Sequence, residues 1–240
     1  MSRTVPRKEE IASRLAAVRQ RIVDACEAAG REPADVRLIV VTKTYPSSDV
    51  EVLAGLGITD VGENRHPEAE RKRADVGPGG ADLTWHFVGG WQTSKAAAVA
   101  RYADAVHSVD RLRLVRALAS GAQKVDRDID VLIQVNLEGR DDAPGGRAGA
   151  DPDQIEEIAA EIDASDRLRL RGTMAVAPLG EDAGKAFAQL RECTDALRER
   201  YPAATIMSAG MSGDLEEAIA AGATHVRIGR AVLGERPPLR

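Results

Sequence analysis

Aromatic residues are scarce in this 240-residue chain, with two Trp, three Tyr and two Phe, so Val, Ile, Leu and Ala must do most of the packing. Cysteine is scarcer still. Cys26 and Cys193 lie far apart in helix-like segments, which reads as two small packing residues of a reduced, cytoplasmic protein rather than a disulfide framework. No apolar run approaches the roughly 18 residues of a membrane span. The first ten residues, Met1 to Glu10, lack the apolar stretch of a secretory signal. Basic charge is also short: a net charge of -5 and a pI near 5.5 argue against a nucleic-acid surface. The four histidines (His66, His86, His107, His225) are scattered, without HExxH or CxxC spacing, and no nucleophile elbow is present. Metal and hydrolase chemistry have little support.

What is present suits an α/β fold. Hydrophobic residues at 43% and charged residues at 30% make a globular profile with ample core material. An opening helix is predicted from about Pro6 to Gly30, because Ile11, Leu15, Val18, Ile22 and Ala25 recur at three- and four-residue spacing and Gly30 supplies a stop. Eight strand-like segments follow: Val36–Lys43, Asp60–Glu63, Thr84–Gly89, Ala105–Val109, Asp130–Asn136, Arg169–Val176, Thr205–Met211 and His225–Gly229. Helix-like segments alternate with them, among them Ser47–Leu56, Asp110–Lys124, Pro152–Ala164, Asp182–Arg200 and Asp214–Ala221. The strands are mostly continuous apolar runs, the pattern of a parallel sheet covered by helices. The expected architecture is a single (β/α)8 TIM-like barrel over residues 36–236, preceded by an extra N-terminal helix in residues 1–30. A doubly wound open sheet fits the same periodicity. Between Leu137 and Asp151 a long glycine-rich stretch (Gly139, Pro144, Gly145, Gly146, Gly149) lacks the spacing of a phosphate loop and reads as a mobile surface loop or lid.

Lys43 closes the most strand-like run and is followed by Thr44-Tyr45-Pro46. An ammonium at the carboxyl end of a buried strand is costly unless it is used, and strand ends are where β/α proteins hold ligands. Other polar groups fall at strand ends too: Glu63 with Asn64, His86 with Gly89 and Gly90, His107 with Ser108, Asn136, Met174, Ser208 to Ser212, and Arg227 with Gly229. The carboxyl-terminal quarter is the most specific part. Ser208-Ala-Gly-Met-Ser212 ends strand seven, with Ser212 placed to cap the next helix, and His225-Val-Arg-Ile-Gly229 runs into Arg230. The loops after strands seven and eight are the usual phosphate site of such barrels, although the same glycines also serve simple tight turns.

A strand-one lysine facing a phosphate cradle suits a phosphorylated aldehyde held as a Schiff base, since a desolvated, electropositive site lowers the amine's pKa. Arg227 lies two residues before Gly229 and therefore on the same face of strand eight. A guanidinium there can donate to an aromatic ring nitrogen but cannot supply it with a proton. An ion pair between Arg227 and Glu63 or another rim carboxylate is the alternative.

The ordered segments VVTKTYP, VGEN, WHFVGGWQTSK, VHSVD, LIQVN, LRGTMAV, SAGMSGDLEEAI and VRIGRAVLGER, from about residue 36 to 236, resemble the pyridoxal phosphate homeostasis protein family. The resemblance implies one domain over residues 1–240, a barrel similar to the amino-terminal domain of alanine racemase that binds pyridoxal 5'-phosphate (PLP). Lys43 takes the place of the Schiff-base lysine, Asn64 lies near the cofactor, and Ser208 and the Gly229-Arg230 turn fall on phosphate-binding segments. Arg227 falls on the arginine facing the pyridine nitrogen. With His86 and Met174 these make the expected cofactor-binding set, with no firm catalytic residue and no metal. Arg65 stands where the family usually has Tyr, Gly89-Gly90-Trp91-Gln92 lacks a family histidine, and Arg230 replaces a Thr or Ser.

Two functions follow from the resemblance. One is a protein that holds or delivers PLP in intracellular PLP homeostasis, with little catalysis. The other is a PLP-dependent amino-acid racemase. Racemisation needs a base on each face of the substrate carbon. Tyr45 is the sole tyrosine near a strand end, it lies beside Lys43, and the chain ends at Arg240 without the second domain that supplies a racemase's opposing Tyr. The holding role is therefore expected, with PLP and PLP-dependent apo-enzymes as partners, neither nucleic acid nor membrane, and a monomeric state. A cofactor-free Schiff-base aldolase usually carries its lysine on a later strand.

Overall fold

The computed structural model describes residues 4–138 and 149–235, with side chains from Pro6 onward. Eight strands alternate with helices: β1 (Arg37–Val41), β2 (Asp60–Glu63), β3 (Thr84–Phe87), β4 (Ala105–Val109), β5 (Ile129–Gln134), β6 (Leu168–Met174), β7 (Ile206–Ser208) and β8 (His225–Ile228). They form a closed barrel in sequence order. Closure is made by parallel pairing of β8 with β1, from Arg37 opposite His225 to Val40 opposite Ile228. That pairing excludes the open sheet.

Strand ends retreat where the backbone must turn. The run through Lys43 leaves the sheet after Val41, and Thr44 adopts φ 70. The segment predicted over Thr205–Met211 keeps only three strand residues, since Gly210 turns with φ 90. Ser212 does not cap the following helix, which begins at Leu215. Instead Asp214 Oδ1 accepts the Met211 N–H at 2.6 Å, and the Ser212 carbonyl accepts from Arg21.

Helices α1 (Thr4–Ala28), α2 (Ser47–Gly55), α3 (Glu68–Asp75), α4 (Ala96–Tyr102), α5 (Leu112–Lys124), α6 (Ile155–Asp163), α7 (Ala183–Arg200), α8 (Leu215–Ala220) and α9 (Arg230–Leu233) complete the order. The stripe Ile11, Leu15, Val18 and Ile22 on α1 is buried in one cluster with Leu215, Ile219, Val232 and Leu233 from α8 and α9. Arg7 reinforces this seam, donating to both Asp49 carboxylate oxygens and to the Leu233 carbonyl. A larger cluster, including Phe187, Leu118 and Ile133, packs helices α4 to α7 against their strands. Burying each such aliphatic side chain contributes about 1.5–3 kcal/mol.

The predicted loop from Leu137 to Asp151 is pinned at both ends. Val135 bridges to Ala150, and the Asn136 N–H donates to the Ala150 carbonyl at 2.8 Å. Its central part, residues 139–148, lies outside the described residues, and the lid expectation falls there.

Candidate functional site at the carboxyl end of the barrel

Alternation decides what faces the barrel axis. Leu38, Val40, Val226 and Ile228 pack outward against the helices, so Ile39 and Val41 on β1 and Arg227 on β8 turn inward. Ile39 pairs with Arg227 across the closing seam. One step further up, a Cβ on Gly229 would lie 3.1 Å from the Val41 carbonyl oxygen, so glycine lets the β8 turn approach β1 closely. Lys43 follows two residues after Val41 on the same rim and is half-buried. Arg227, Gly229 and Lys43 thus rise in order towards the rim on two neighbouring chain segments.

Arg227 is buried and makes no ion pair among the described residues, so the alternative pairing with Glu63 does not form. Its guanidinium donates to Ser208 Oγ and to the Ala175 carbonyl, both at 2.8 Å. Burial lowers its pKa to about 10, which leaves it cationic near neutral pH.

Ser208 begins a chain of buried hydrogen bonds through the barrel. Its hydroxyl lies 3.0 Å from His107 Nδ1, His107 Nε2 lies 2.9 Å from His86 Nδ1, and His86 Nε2 lies 2.8 Å from Asp60 Oδ1. The two ends set the direction. A guanidinium only donates and a carboxylate only accepts, so every bond is satisfied if Ser208 donates to His107, His107 to His86, and His86 to Asp60. His107 is held well below the ordinary histidine range, first by burial and then by the charges of His86 and Arg227. Asp60 is lowered, because hydrogen bonds from His86 and Thr59 together with nearby positive charge outweigh its burial.

Comparisons place this arrangement in a family. A family model described as "Alanine racemase, N-terminal domain" matches residues 13–237. A "Pyridoxal phosphate homeostasis protein" of Mycobacterium tuberculosis is 39% identical over 245 residues, covering 96% of this chain and 94% of the relative. A protein of the same name from Escherichia coli is 36% identical over 231 residues, covering 95% and 97%. The chain belongs to the pyridoxal phosphate homeostasis protein family. PipY of Synechococcus elongatus, solved with PLP bound, superposes with a TM-score of 0.80 at 33% identity, covering 93% of this chain and all of that one. Alanine racemase from Corynebacterium glutamicum shares the fold at 18% identity and a TM-score of 0.69, with 63% of its length covered.

Within this family member the expected site residues fall into two groups. Lys43, Asn64, Gly229 and Arg230 lie at the rim. Asn64 rests against Gly89, where a Cβ would come within 2.1 Å of its backbone and side-chain oxygens. Arg230 is exposed, as is Arg65. Met174, Ser208 and Arg227 lie deeper and are buried. His86 is deeper still, with both ring nitrogens engaged in the chain to Asp60, so it reaches the mouth only through His107 and Ser208. Two rim expectations point elsewhere: Glu63 turns outward to Lys72, and Ser108 donates to the Gly89 carbonyl at 2.6 Å. A cleft of about 510 Å³ lined by Arg31, Arg198, Thr205 and His225 opens at the amino end, away from the converging strand-end groups.

Sequence reasoning missed Asp60, the acceptor of the chain, and the α3 pair Glu68 and Lys72. The four-residue spacing of that pair was the available signal. Among the described residues no cluster of three metal-ligating side chains occurs, and no helix is long and apolar enough to cross a membrane.

Proposed function

We propose that the chain binds PLP at the carboxyl end of its barrel, holds it as a Schiff base on Lys43, and serves intracellular PLP homeostasis with little or no turnover. The observation that carries this reading is Arg227, a buried cation with no carboxylate partner among the described residues, on the inner face below Gly229 and Lys43. Such a charge is costly in an apolar interior and suits an acceptor arriving from above. The donor set fits PLP: an amine for its aldehyde, amides of the Gly229-Arg230 turn for its phosphate, and a guanidinium for its ring nitrogen. Bound PLP supplies a carbonyl that an amine captures reversibly and, when its ring nitrogen is protonated, an electron sink.

The chain's own residues favour holding over turnover. Arg227 would donate a hydrogen bond to the ring nitrogen while withholding a proton. Ser208 and Ala175 keep its guanidinium in place, and Met174 would lie against the apolar side of the site. Asn64 and Arg230 would complete the rim. No tyrosine is placed to oppose Lys43: Tyr45 donates to the Gly234 carbonyl at 2.6 Å, Tyr201 reaches Glu156, and Tyr102 is buried beside His66 and Phe87. This sets the racemase reading second. Delivery of PLP to apo-enzymes in the cytoplasm belongs to the same reading, and the two unpaired cysteines agree with a reducing compartment. A monomer is proposed, since Leu179 and Met211 are the exposed large apolar side chains among the described residues.

The test is spectroscopic. Protein incubated with PLP should gain a visible absorption band that Lys43→Ala abolishes, and borohydride should fix the cofactor mass on the peptide containing Lys43. A protein that stays colourless and takes up no PLP would sink the proposal. Rapid Lys43-dependent racemisation of D- or L-alanine would replace it with the racemase.

A further inference from the structure

Two side chains of α3 hold the peptide units on either side of Lys43. Lys72, only 5% exposed, donates to the Thr42 carbonyl at 2.6 Å. Glu68 accepts the Thr44 N–H at 2.6 Å. The two grips are joined, because Lys72 Nζ also lies 3.2 Å from Glu68 Oε1 and 2.6 Å from Glu63 Oε1. Glu63 Oε1 in turn accepts from the Thr42 hydroxyl at 2.6 Å. Carbonyl, amide and hydroxyl around Lys43 are therefore all tied to one buried charged cluster on the outer side of the barrel.

The backbone held this way is unusual. Thr44 has φ 70, a left-handed conformation that a β-branched residue rarely adopts. Its own hydroxyl is buried without a hydrogen-bond partner among the described residues, so no side-chain bond from Thr44 to them stabilises the turn. Such a conformation persists where the surroundings over-determine it, and the charge-assisted bond from Thr44 N–H to Glu68 supplies that constraint. Rotating either flanking peptide would swing the lysine stem, and its amine would move by several times the displacement at the backbone.

We propose that Glu68 and Lys72 are positioning residues for Lys43: by locking the peptides before and after it, they set where its amine projects over the barrel mouth. The inference rests on the reading of Lys43 as the PLP-linking amine. It makes α3 part of the binding machinery although neither residue is expected to touch the ligand. Glu68→Gln keeps an acceptor for the Thr44 amide, whereas Glu68→Ala removes it.

Full-length wild type, Glu68→Ala, Glu68→Gln, Lys72→Met and Lys43→Ala are compared. Without PLP, hydrogen exchange at the Thr44 amide should quicken about tenfold in Glu68→Ala, the change expected for one hydrogen bond to a charged acceptor, and recover in part in Glu68→Gln, whose neutral amide accepts more weakly. With PLP, Glu68→Ala should release cofactor about tenfold faster and shift the pH midpoint of the Lys43-dependent band, again with partial rescue by Gln. Lys72→Met should act in the same direction, and if that buried substitution prevents folding, the Glu68 pair decides alone. A Glu68→Ala protein with wild-type release rate and pH midpoint would overturn the positioning role, as would faster release that Gln does not rescue. If wild type itself shows no Lys43-dependent band, the Schiff-base reading falls and takes this proposal with it, an outcome visible before any α3 variant is compared.

Discussion

His107 Nε2 lies 2.9 Å from His86 Nδ1, with the two rings edge to face inside the barrel. This contact joins Arg227 and Ser208, near the carboxyl end, to Asp60 at the start of β2. A cation and an anion that do not pair directly are linked through the side chains of Ser208, His107 and His86, where buried hydrogen bonds reinforce one another.

Breaking the link should be costly from either side. His107→Phe leaves the Ser208 hydroxyl and His86 Nδ1 without their partner, and about 2–5 kcal/mol should be lost in urea denaturation. Ser208→Ala should cost less, and the double variant should fall short of the sum by about 1 kcal/mol, because both changes cut the same chain. Strict additivity would show that the chain is not coupled. Nitrogen NMR should find the His107 proton on Nε2.

His225 should make stability depend on pH. Burial, with the charges of His86 and Arg37 around it, lowers its pKa from 6.5 to about 4, while Asp60 acts the other way. Between these values the unfolded chain binds a proton that the native protein does not. Stability from this group is therefore full above 6.5 and declines as pH falls towards 4, by up to about 1.4 kcal/mol per pH unit. Urea denaturation across that window should show a shallower slope in His225→Phe than in wild type. The variant comparison matters because Glu63 and Asp110, both raised chiefly by burial, contribute with the opposite sign as pH falls. Equal slopes would refute the assignment.

Gly172 should tolerate no side chain. It has φ 145, and a Cβ there would lie 1.9 Å from the Ile206 carbonyl oxygen across the β6–β7 pair. Gly172→Ala should destabilise by about 3 kcal/mol or more, since backbone rather than a flexible side chain blocks the way. Gly90→Ala, with nothing within 4 Å of the added atom, should stay within about 0.5 kcal/mol. Thermal and urea unfolding of the two proteins checks the contrast.

Tyr45→Phe separates structure from chemistry. The buried hydroxyl donates to the Gly234 carbonyl, so its loss should cost about 1–2 kcal/mol in denaturation. The Lys43-dependent absorption band should be unchanged. A variant of normal stability that lost the band would place Tyr45 in the site instead.

Much of this could be read before the fold was known. The predicted bounds of Asp60–Glu63 and Ala105–Val109 match the strands to the residue, although Asp-Val-Gly-Glu is hardly apolar and stands out by its place in the alternation rather than by its own composition. The α1 stripe was equally clear, since its periodicity needs no knowledge of what it packs against. Lys43 and Arg227 were visible as charges set at or within apolar strands. Ser212 was misread as a cap because its sequence position resembles one, while the turn after β7 is settled by Asp214 and Arg21, the latter 191 residues away.

The chain by itself determined eight strands in alternation with helices, an amine just after the first and a guanidinium within the last. Only the tertiary structure decided that the sheet closes, bringing Ile39 opposite Arg227, and that His107 meets Ser208 across 101 residues of sequence. It alone turned Glu63 outward to Lys72, so that α3 grips the peptides around Lys43. Alternation and helical period are local properties of the chain. Hydrogen-bond partners inside a barrel are chosen by register and closure, which no local pattern contains.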